Sequence, residues 1–138
     1  MIKVSTNLHH AHLFASSIDK SLNFYSEMFG AETLFDLEMA GARNVMISIG
    51  TSRINFYDQS PRDTGRGAIH HLGIETDNLE KLIEHMKEKG YEFKNKIKIY
   101  GLWKYVMVEG PDNVLLELFE IVRDRIPQEQ LKKISSLY

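Results

Sequence analysis

The chain has 138 residues, 43% of them hydrophobic, and a formal net charge of −2. These values predict a single domain over residues 1–138 and exclude the basic surface of a nucleic-acid-binding protein. The absence of cysteine excludes disulfides and thiol nucleophiles. No apolar stretch approaches the ~20 residues of a membrane span, and the N-terminus lacks a signal-segment pattern, so we expect a cytoplasmic protein with no membrane partner.

The first half of the chain predicts a strand, a helix and three more strands. Residues 8–15 alternate between two faces as a strand does. The helix begins after Ser16 or Ser17, which are good capping residues, and ends at Gly30. The three strands that follow are predicted at about 33–39, 44–49 and 53–57.

The second half predicts the same order of elements. A strand begins near Ile69, and a helix follows in which Asp77 and Glu80 have the spacing of a capping box. Gly90 ends this helix. The remaining strands are predicted at about 92–99, 103–109 and 114–121.

These elements predict an α+β fold made of two βαβββ modules, at about 7–58 and 68–121, that form a curved sheet around a shared cavity. The polar, glycine-containing segment 60–67 is the expected connector. A C-terminal helix is predicted at about 127–137, because proline is a favourable first helical residue. Its apolar edge could pack on the body of the protein or on a partner chain.

Each module opens with a histidine doublet, His9-His10 and then His70-His71. Strand alternation places the second histidine of each doublet toward the shared cavity and the first toward the helix side. His10 and His71 are therefore expected to approach each other if the modules are related by a pseudo-twofold axis. In the same alternation His12 lies on the face of His10.

The last strands of the two modules differ at their equivalent positions. Alignment of residues 54–58 with 116–120 pairs Asn55 with Glu117. A carboxylate between two leucines is costly to bury unless a cation or hydrogen bonds compensate it. Two imidazoles and one carboxylate, from His10, His71 and Glu117, would form a facial triad for a divalent metal.

Three segments, HAHLFASSIDKSLNFYSEMFG, HLGIETDNLEKLIEHMKEKG and GPDNVLLELFE, make the chain resemble the vicinal oxygen chelate superfamily. That superfamily includes glyoxalase I, extradiol dioxygenases, methylmalonyl-CoA epimerase and the fosfomycin- and bleomycin-resistance proteins. The resemblance covers about residues 7–121. It implies that the metal ligands are His10, His71 and Glu117.

Asn55 departs from the pattern of glyoxalase I, which carries a fourth ligand, normally glutamate, at that place. The epimerase has glutamine there, so the resemblance leaves Asn55 open as a weak fourth ligand. The three-ligand set is closer to extradiol dioxygenases and fosfomycin-resistance enzymes.

Several other residues are candidates for roles near the metal. His12 is a candidate base or a substrate hydrogen-bond partner, and a hydrogen-bonded core residue is the alternative. Tyr57 is a candidate acid or substrate contact. Glu38 is a candidate for proton transfer, and a solvated edge strand explains it equally well. Gly73, the positional twin of His12, is expected to leave room for a substrate.

These observations predict a metal-dependent enzyme that acts on a small molecule with adjacent oxygens. The divalent ion could be Fe, Mn, Ni, Zn or Co. The alternatives are a glyoxalase- or epimerase-type isomerisation with Asn55 as fourth ligand, and a metal-free drug-binding protein like the bleomycin-resistance proteins. We expect a homodimer. Because family members pair modules within one chain or exchange them between chains, His10 and His71 could meet within one chain or across the dimer interface.

Overall fold

The computed structural model describes residues 4–63 and 65–137. They divide into two compact units, Met1–Arg62 and Asp63–Tyr138. Each unit has one four-stranded sheet, and its elements run in the order βαβββ. The α+β class and the two βαβββ modules are therefore confirmed, and the unit boundary lies in the expected connector. The grouping of both modules into a single domain stays a prediction.

The first unit contains β1, α1, β2, β3 and β4. β1 runs parallel to β4, and the other neighbouring strands are antiparallel, in the order β1-β4-β3-β2. The bounds of these elements are Ala11–Ala15, Ile18–Phe29, Glu32–Met39, Ala42–Ile49 and Ser52–Asp58.

β1 begins at Ala11, three residues later than expected, so His9 and His10 lie before the strand. Ala11 pairs with Ile54, and β4 itself begins at Ser52. In the same register His10 would lie opposite Arg53 and His9 opposite Ser52, but the ladder begins only at Ala11.

Local sequence explains the bounds of α1. The Ser17 side chain accepts a hydrogen bond from the Lys20 backbone N–H at 3.3 Å, and Gly30 ends the helix with a φ of 67°. The buried face of α1 includes Tyr25, whose ring centroid lies 5.4 Å from that of Phe56. The helix therefore covers the face of the sheet that carries Phe56.

The second unit contains β5, α2, β6, β7, β8 and a C-terminal helix, α3. Its sheet order is β5-β8-β7-β6, again with the first and last strands parallel. The bounds are Leu72–Glu75, Leu79–Glu88, Lys98–Tyr100, Trp103–Glu109, Leu115–Ile121 and Gln128–Ile134. No helix in the described ranges is long and apolar enough to cross a membrane.

Two expectations in the second unit were wrong in detail. α2 is capped by Asn78, whose side chain accepts from the Lys81 N–H at 3.0 Å, and the expected cap at Asp77 lies one residue earlier. The strand expected at 92–99 is only the three residues of β6. The Asn95 amide and the Tyr91 hydroxyl donate to backbone carbonyls of β7, at 3.1 and 3.3 Å, so side chains replace a backbone ladder there.

The two sheets have matching registers. His12 pairs with Asn55 across β1 and β4, and Gly73 pairs with Glu117 across β5 and β8. Because His12 and Gly73 each lie two residues after the second histidine of a doublet, the expected equivalence of Asn55 and Glu117 is present in the backbone pairing. We call the face of each sheet opposite its helix the site face; in the first unit it carries His12 and Asn55, and in the second it carries Glu117.

The C-terminal helix is held to the second unit by a buried leucine and by β5. Leu131 is buried, while Ile134 and Leu137 of the expected apolar edge are exposed. The Glu75 carboxylate accepts from the Ser135 hydroxyl, and from the Ser136 N–H and hydroxyl at 3.0 and 2.9 Å. This carboxylate fixes the end of α3 beside β5.

We expect Glu75→Ala to release the C-terminal segment and to destabilise the second unit by about 1–3 kcal/mol, because the hydrogen bonds it removes involve a charged acceptor. Hydrogen–deuterium exchange over residues 128–137 measures the release. Ser136→Ala, which removes only one of the side-chain bonds, should have a smaller effect. Equal exchange in the wild type and Glu75→Ala would contradict this role of Glu75.

Candidate functional site

His71 and Glu117 come together on the site face of the second unit. His71 directly precedes β5, and Glu117 lies in the middle of β8 between Leu116 and Leu118, which are fully buried. His71 Nε2 lies 3.5 Å from Glu117 Oε2, and the two side chains are 32% and 22% exposed. The expected alternation of β8, with its leucines buried and its carboxylate on the other face, is therefore observed.

The spacing of these two atoms is that of an ion pair, and it is also compatible with two ligands of one metal ion. Hydrogen bonds from nitrogen to oxygen are mostly about 2.7–3.2 Å long. Two donor atoms that bind one ion at ~2.1 Å lie roughly 3.0 Å apart in octahedral and 3.4 Å apart in tetrahedral geometry. The observed 3.5 Å is close to the second value and exceeds the first by about 0.5 Å, so the two side chains could bind one divalent cation, after a small approach if its geometry is octahedral.

The first histidine of each doublet contacts the second. His70 Nδ1 and His71 Nδ1 are 2.8 Å apart, and His9 Nδ1 and His10 Nδ1 are 2.9 Å apart. The rings are nearly perpendicular in both pairs. Each contact uses the Nδ1 atoms and leaves the Nε2 atom of the second histidine directed elsewhere, which is how ligand histidines are commonly oriented.

The expectation that His9 and His70 face the helices stays a prediction. Both are exposed, and both contact the neighbouring histidine. Both doublets precede their strands, so strand alternation does not set the direction of these side chains.

The site face of the first unit carries a chain of polar side chains. Asn44 Nδ2 donates to the carbonyls of Met39 and Ala42 at 2.9 and 3.2 Å. Asn55 Nδ2 lies 3.1 Å from Asn44 Oδ1 and 3.3 Å from His12 Nδ1. Asn44 and Asn55 are buried and His12 is exposed. Within the described ranges, Asn55 Oδ1 is buried without a hydrogen-bond partner.

Tyr57 lies beside His12, with ring centroids 5.9 Å apart. Its hydroxyl donates to the Ala40 carbonyl at 2.7 Å. The proton that an acid would release is therefore already shared with the backbone of the β2–β3 turn. This geometry supports a packing contact for Tyr57, and its role as an acid stays a prediction.

Glu38 is not brought together with His12. Glu38 pairs with Arg43 across β2 and β3, which places it on the helix-side face, opposite His12 and Asn55. Its neighbour on that face, Asp36, accepts two hydrogen bonds from Arg43, at 3.0 and 2.8 Å. These bonds hold the pKa of Asp36 below its usual range. A role for Glu38 in proton transfer stays a prediction that the register does not support.

Gly73 does not leave the open space that was expected. A Cβ atom added at Gly73 would lie 3.1 Å from Cε1 of Phe119, so that ring already occupies the adjacent volume. Phe119 also packs edge-to-face against Trp103, with centroids 4.9 Å apart. The site face of the second unit therefore has an aromatic wall next to Glu117.

Within each unit, the described residues bring no three histidine, aspartate or glutamate side chains around one point. The second unit contributes His71 and Glu117 as a pair. The first unit places His10 and His12 near each other, with ring centroids 6.3 Å apart.

Residues 7–118 match the family model described as the Glyoxalase/Bleomycin resistance protein/Dioxygenase superfamily. The chain belongs to this superfamily. The match spans both units and includes His10, His71 and Glu117, together with Asn55. The resemblance inferred from the sequence is therefore confirmed.

Known members of this superfamily resemble the chain in sequence and in fold. A trivalent organoarsenical cleaving enzyme from Bacillus sp. (strain MD1) is 26% identical over 117 residues, which are 80% of this chain and 70% of that protein. The fosfomycin resistance protein FosX from Listeria monocytogenes has a TM-score of 0.72 and 18% identity over 89% of this chain and 100% of its own. A glyoxalase family protein from Enterococcus faecalis has a TM-score of 0.69 and 22% identity, over 83% and 97% of the two chains.

Two residues of the site faces were not anticipated from the sequence. Asn44 is a buried amide at the start of the apolar run NVMISI, and a polar residue in such a run requires a partner. That requirement was the signal that could have found it. Phe119 gave no such signal, because aromatic residues are common in β-strands generally.

Proposed function

We propose that this superfamily member is a metal-dependent enzyme in which His71, Glu117 and His10 hold a divalent ion. The observation that carries the proposal is the 3.5 Å separation of His71 Nε2 and Glu117 Oε2. His10 is proposed as the third ligand from its equivalent position after His9 and from the matching Nδ1 contact. The protein would act as a homodimer, with His10 supplied by the same chain or by a second copy.

The role of the ion in this proposal is to bind and polarise the oxygens of a substrate as a Lewis acid. The protein residues have separate tasks. His70 and His9 would orient the ligand rings through their Nδ1 contacts. Trp103 and Phe119 would form an apolar wall beside Glu117, which restricts water on that side.

A small molecule with adjacent oxygens is the proposed substrate class. Two histidines and one carboxylate leave coordination positions for substrate oxygens. We place fosfomycin-type addition first, with water as the nucleophile: an epoxide C–O bond breaks as the water oxygen bonds to that carbon, and the ring oxygen gains a proton, which gives a diol. The fold is shared with FosX, one structure of which was determined with Mn(II) and 1S,2S-dihydroxypropylphosphonic acid. Mn(II) is accordingly the first metal to test, before Fe, Ni, Zn and Co.

Cleavage of a trivalent organoarsenical is the second candidate, because that name belongs to the relative with 26% identity. Trivalent arsenic is a soft centre that prefers thiolate ligands, and soft centres select sulfur donors. This chain has no cysteine. The donor set therefore favours an oxygen-rich substrate over an arsenical.

An isomerisation of the glyoxalase or epimerase type would use Asn55 Oδ1 as a fourth ligand. That atom is buried and has no hydrogen-bond partner in the described part of the chain. Its lack of a hydrogen-bond partner keeps this alternative within the proposal, although a ligand role would require exposure of the atom, and Asn55 Nδ2 is hydrogen-bonded to Asn44 and His12.

The proposal is tested by loading the chelator-treated protein with Mn(II), and separately with Fe(II), Ni(II), Zn(II) and Co(II). Calorimetry should give about one ion bound for each set of three ligands. The loaded protein is then assayed with fosfomycin, with a catechol, with a hemithioacetal and with phenylarsine oxide, each followed by mass spectrometry of the product. We expect turnover of fosfomycin with Mn(II).

Each alternative has its own outcome in this experiment. Release of inorganic arsenite from phenylarsine oxide would favour the second candidate. Isomerisation of the hemithioacetal would favour the alternative with four ligands. Binding of bleomycin without binding of any of the five metals would overturn the metalloenzyme proposal in favour of a drug-binding protein.

A further inference from the structure

We infer that His12 is held in the tautomer that carries its proton on Nε2 and that it donates a hydrogen bond to an oxygen of the bound substrate. This inference chooses between the two roles expected for His12, base and hydrogen-bond partner. It makes His12 a positioning residue that selects ligands with an acceptor oxygen. The identity of the ligand rests on the proposed function. The assignment of the His12 tautomer does not depend on a ligand.

The chain of polar groups starts at two backbone carbonyls. The Asn44 amide atom that lies 2.9 Å from the Met39 carbonyl and 3.2 Å from the Ala42 carbonyl must be the nitrogen, because a carbonyl oxygen can only accept. The orientation of the Asn44 amide is therefore fixed. Its oxygen is directed to Asn55.

The direction of the next two hydrogen bonds follows from that oxygen. Because Asn44 Oδ1 accepts, the Asn55 atom 3.1 Å away is the Nδ2 donor. The same Nδ2 lies 3.3 Å from His12 Nδ1 and directs its second hydrogen there. His12 Nδ1 must then be the acceptor, so the proton of a neutral His12 lies on Nε2.

His12, the last side chain of this hydrogen-bonded series, can contact a ligand. His12 is exposed, although Asn55 and Asn44 are both buried. Its Nδ1 is occupied by Asn55, and within the described ranges its ring has only packing contacts besides, with His10 and Tyr57. The Nε2–H group can therefore donate to a phosphonate, carboxylate or carbonyl oxygen, and it cannot act as a base while it carries that proton.

The ligand class follows from the His12 donor alone. Asn55 Oδ1 is buried and has no hydrogen-bond partner in the described ranges, so a ligand at the site face does not reach it. The ligand class is therefore a small molecule with a carbonyl or anionic oxygen that accepts from His12 Nε2–H.

The first test measures the tautomer directly by NMR of the metal-free, full-length protein labelled with ¹⁵N-histidine, at mildly alkaline pH. The His12 signals are assigned by their loss in His12→Gln. We expect a protonated, pyrrole-type Nε2 and an unprotonated, pyridine-type Nδ1. A proton on Nδ1, or averaging between the two tautomers, would overturn the inference whatever the metal and ligand do.

The second test measures binding of 1S,2S-dihydroxypropylphosphonic acid to the Mn(II)-loaded protein. We expect His12→Leu to lower the affinity about 10- to 100-fold, as loss of a hydrogen bond to a charged group does. His12→Gln keeps an N–H donor and should recover most of the affinity. Both variants should bind Mn(II) alone as the wild type does.

The outcomes separate this inference from the proposed function. Equal ligand affinity in His12→Leu and the wild type would reject the donor role even if the metal binds as proposed. Absence of metal binding in the wild type would reject the proposed function, and the NMR result would still decide the tautomer.

Discussion

Glu117→Gln is expected to lower the affinity for a divalent metal by about 100-fold or more, because loss of groups that merely support a ligand already costs 10- to 100-fold. The glutamine is nearly isosteric, but it replaces a charged oxygen ligand with a neutral amide. We expect activity to fall in parallel when the metal concentration is low. Calorimetric titration with Mn(II) measures the affinity directly.

The fold should tolerate this substitution. The Glu117 carboxylate is 22% exposed, and its ion-pair partner in the described structure is His71. The free energy of unfolding without metal should therefore change by less than about 1 kcal/mol. Glu109→Gln is the matched control, because Glu109 lies on the adjacent strand and faces Arg66 at 3.8 Å. Equal metal affinity in Glu117→Gln and Glu109→Gln would remove Glu117 from the ligand set.

Leu118→Ala, one residue after Glu117, should lower stability and leave metal binding intact. This is the opposite of the result expected for Glu117→Gln. Leu118 is fully buried and pairs with Val106 and Ile74 in the centre of the second sheet. Truncation of a buried leucine costs about 2–5 kcal/mol, through lost burial and the cavity that remains. Urea unfolding followed by circular dichroism measures the loss.

Metal binding separates Leu118→Ala from Glu117→Gln. At urea concentrations below its unfolding midpoint, Leu118→Ala should still bind metal, because the side chain at position 118 points away from the site face. Leu34→Ala is the control for a leucine that is 50% exposed, and it should change stability by no more than about 0.5 kcal/mol. A loss of stability in Leu118→Ala no larger than in Leu34→Ala would show that Leu118 is not part of the hydrophobic core of the second unit.

The sequence predicted the elements of the fold where local signals were strong. Ser17 and Gly30 have the side-chain and backbone properties of helix ends, and in the structure they cap the two ends of α1. The alternation of Leu116, Glu117 and Leu118 predicted which face each would take. The signals that failed were weak or shared: Asp77 and Asn78 are both good caps, and Asn78 has the position that reaches the Lys81 N–H.

The candidate site was predictable only in part. The position of Glu117 followed from the repeat, because the pairing of His12 with Asn55 is matched by that of Gly73 with Glu117. The histidine contacts did not follow, since strand alternation does not extend to residues outside a strand. The hydrogen bonds that link Asn44, Asn55 and His12 depend on side-chain rotamers and on a turn at 39–42. Neither can be read from the spacing of residues in the sequence.

The parallel pairing of the first and last strands of each unit has a practical consequence for engineering. Every ladder of the described strands is completed within its own unit, and the unit boundary at Arg62 and Asp63 falls between them. A cut in the backbone there would interrupt no ladder. Separate expression of the two halves would therefore leave every described ladder intact, and it would allow a substitution in the half with His10 to be combined with one in the half with Glu117.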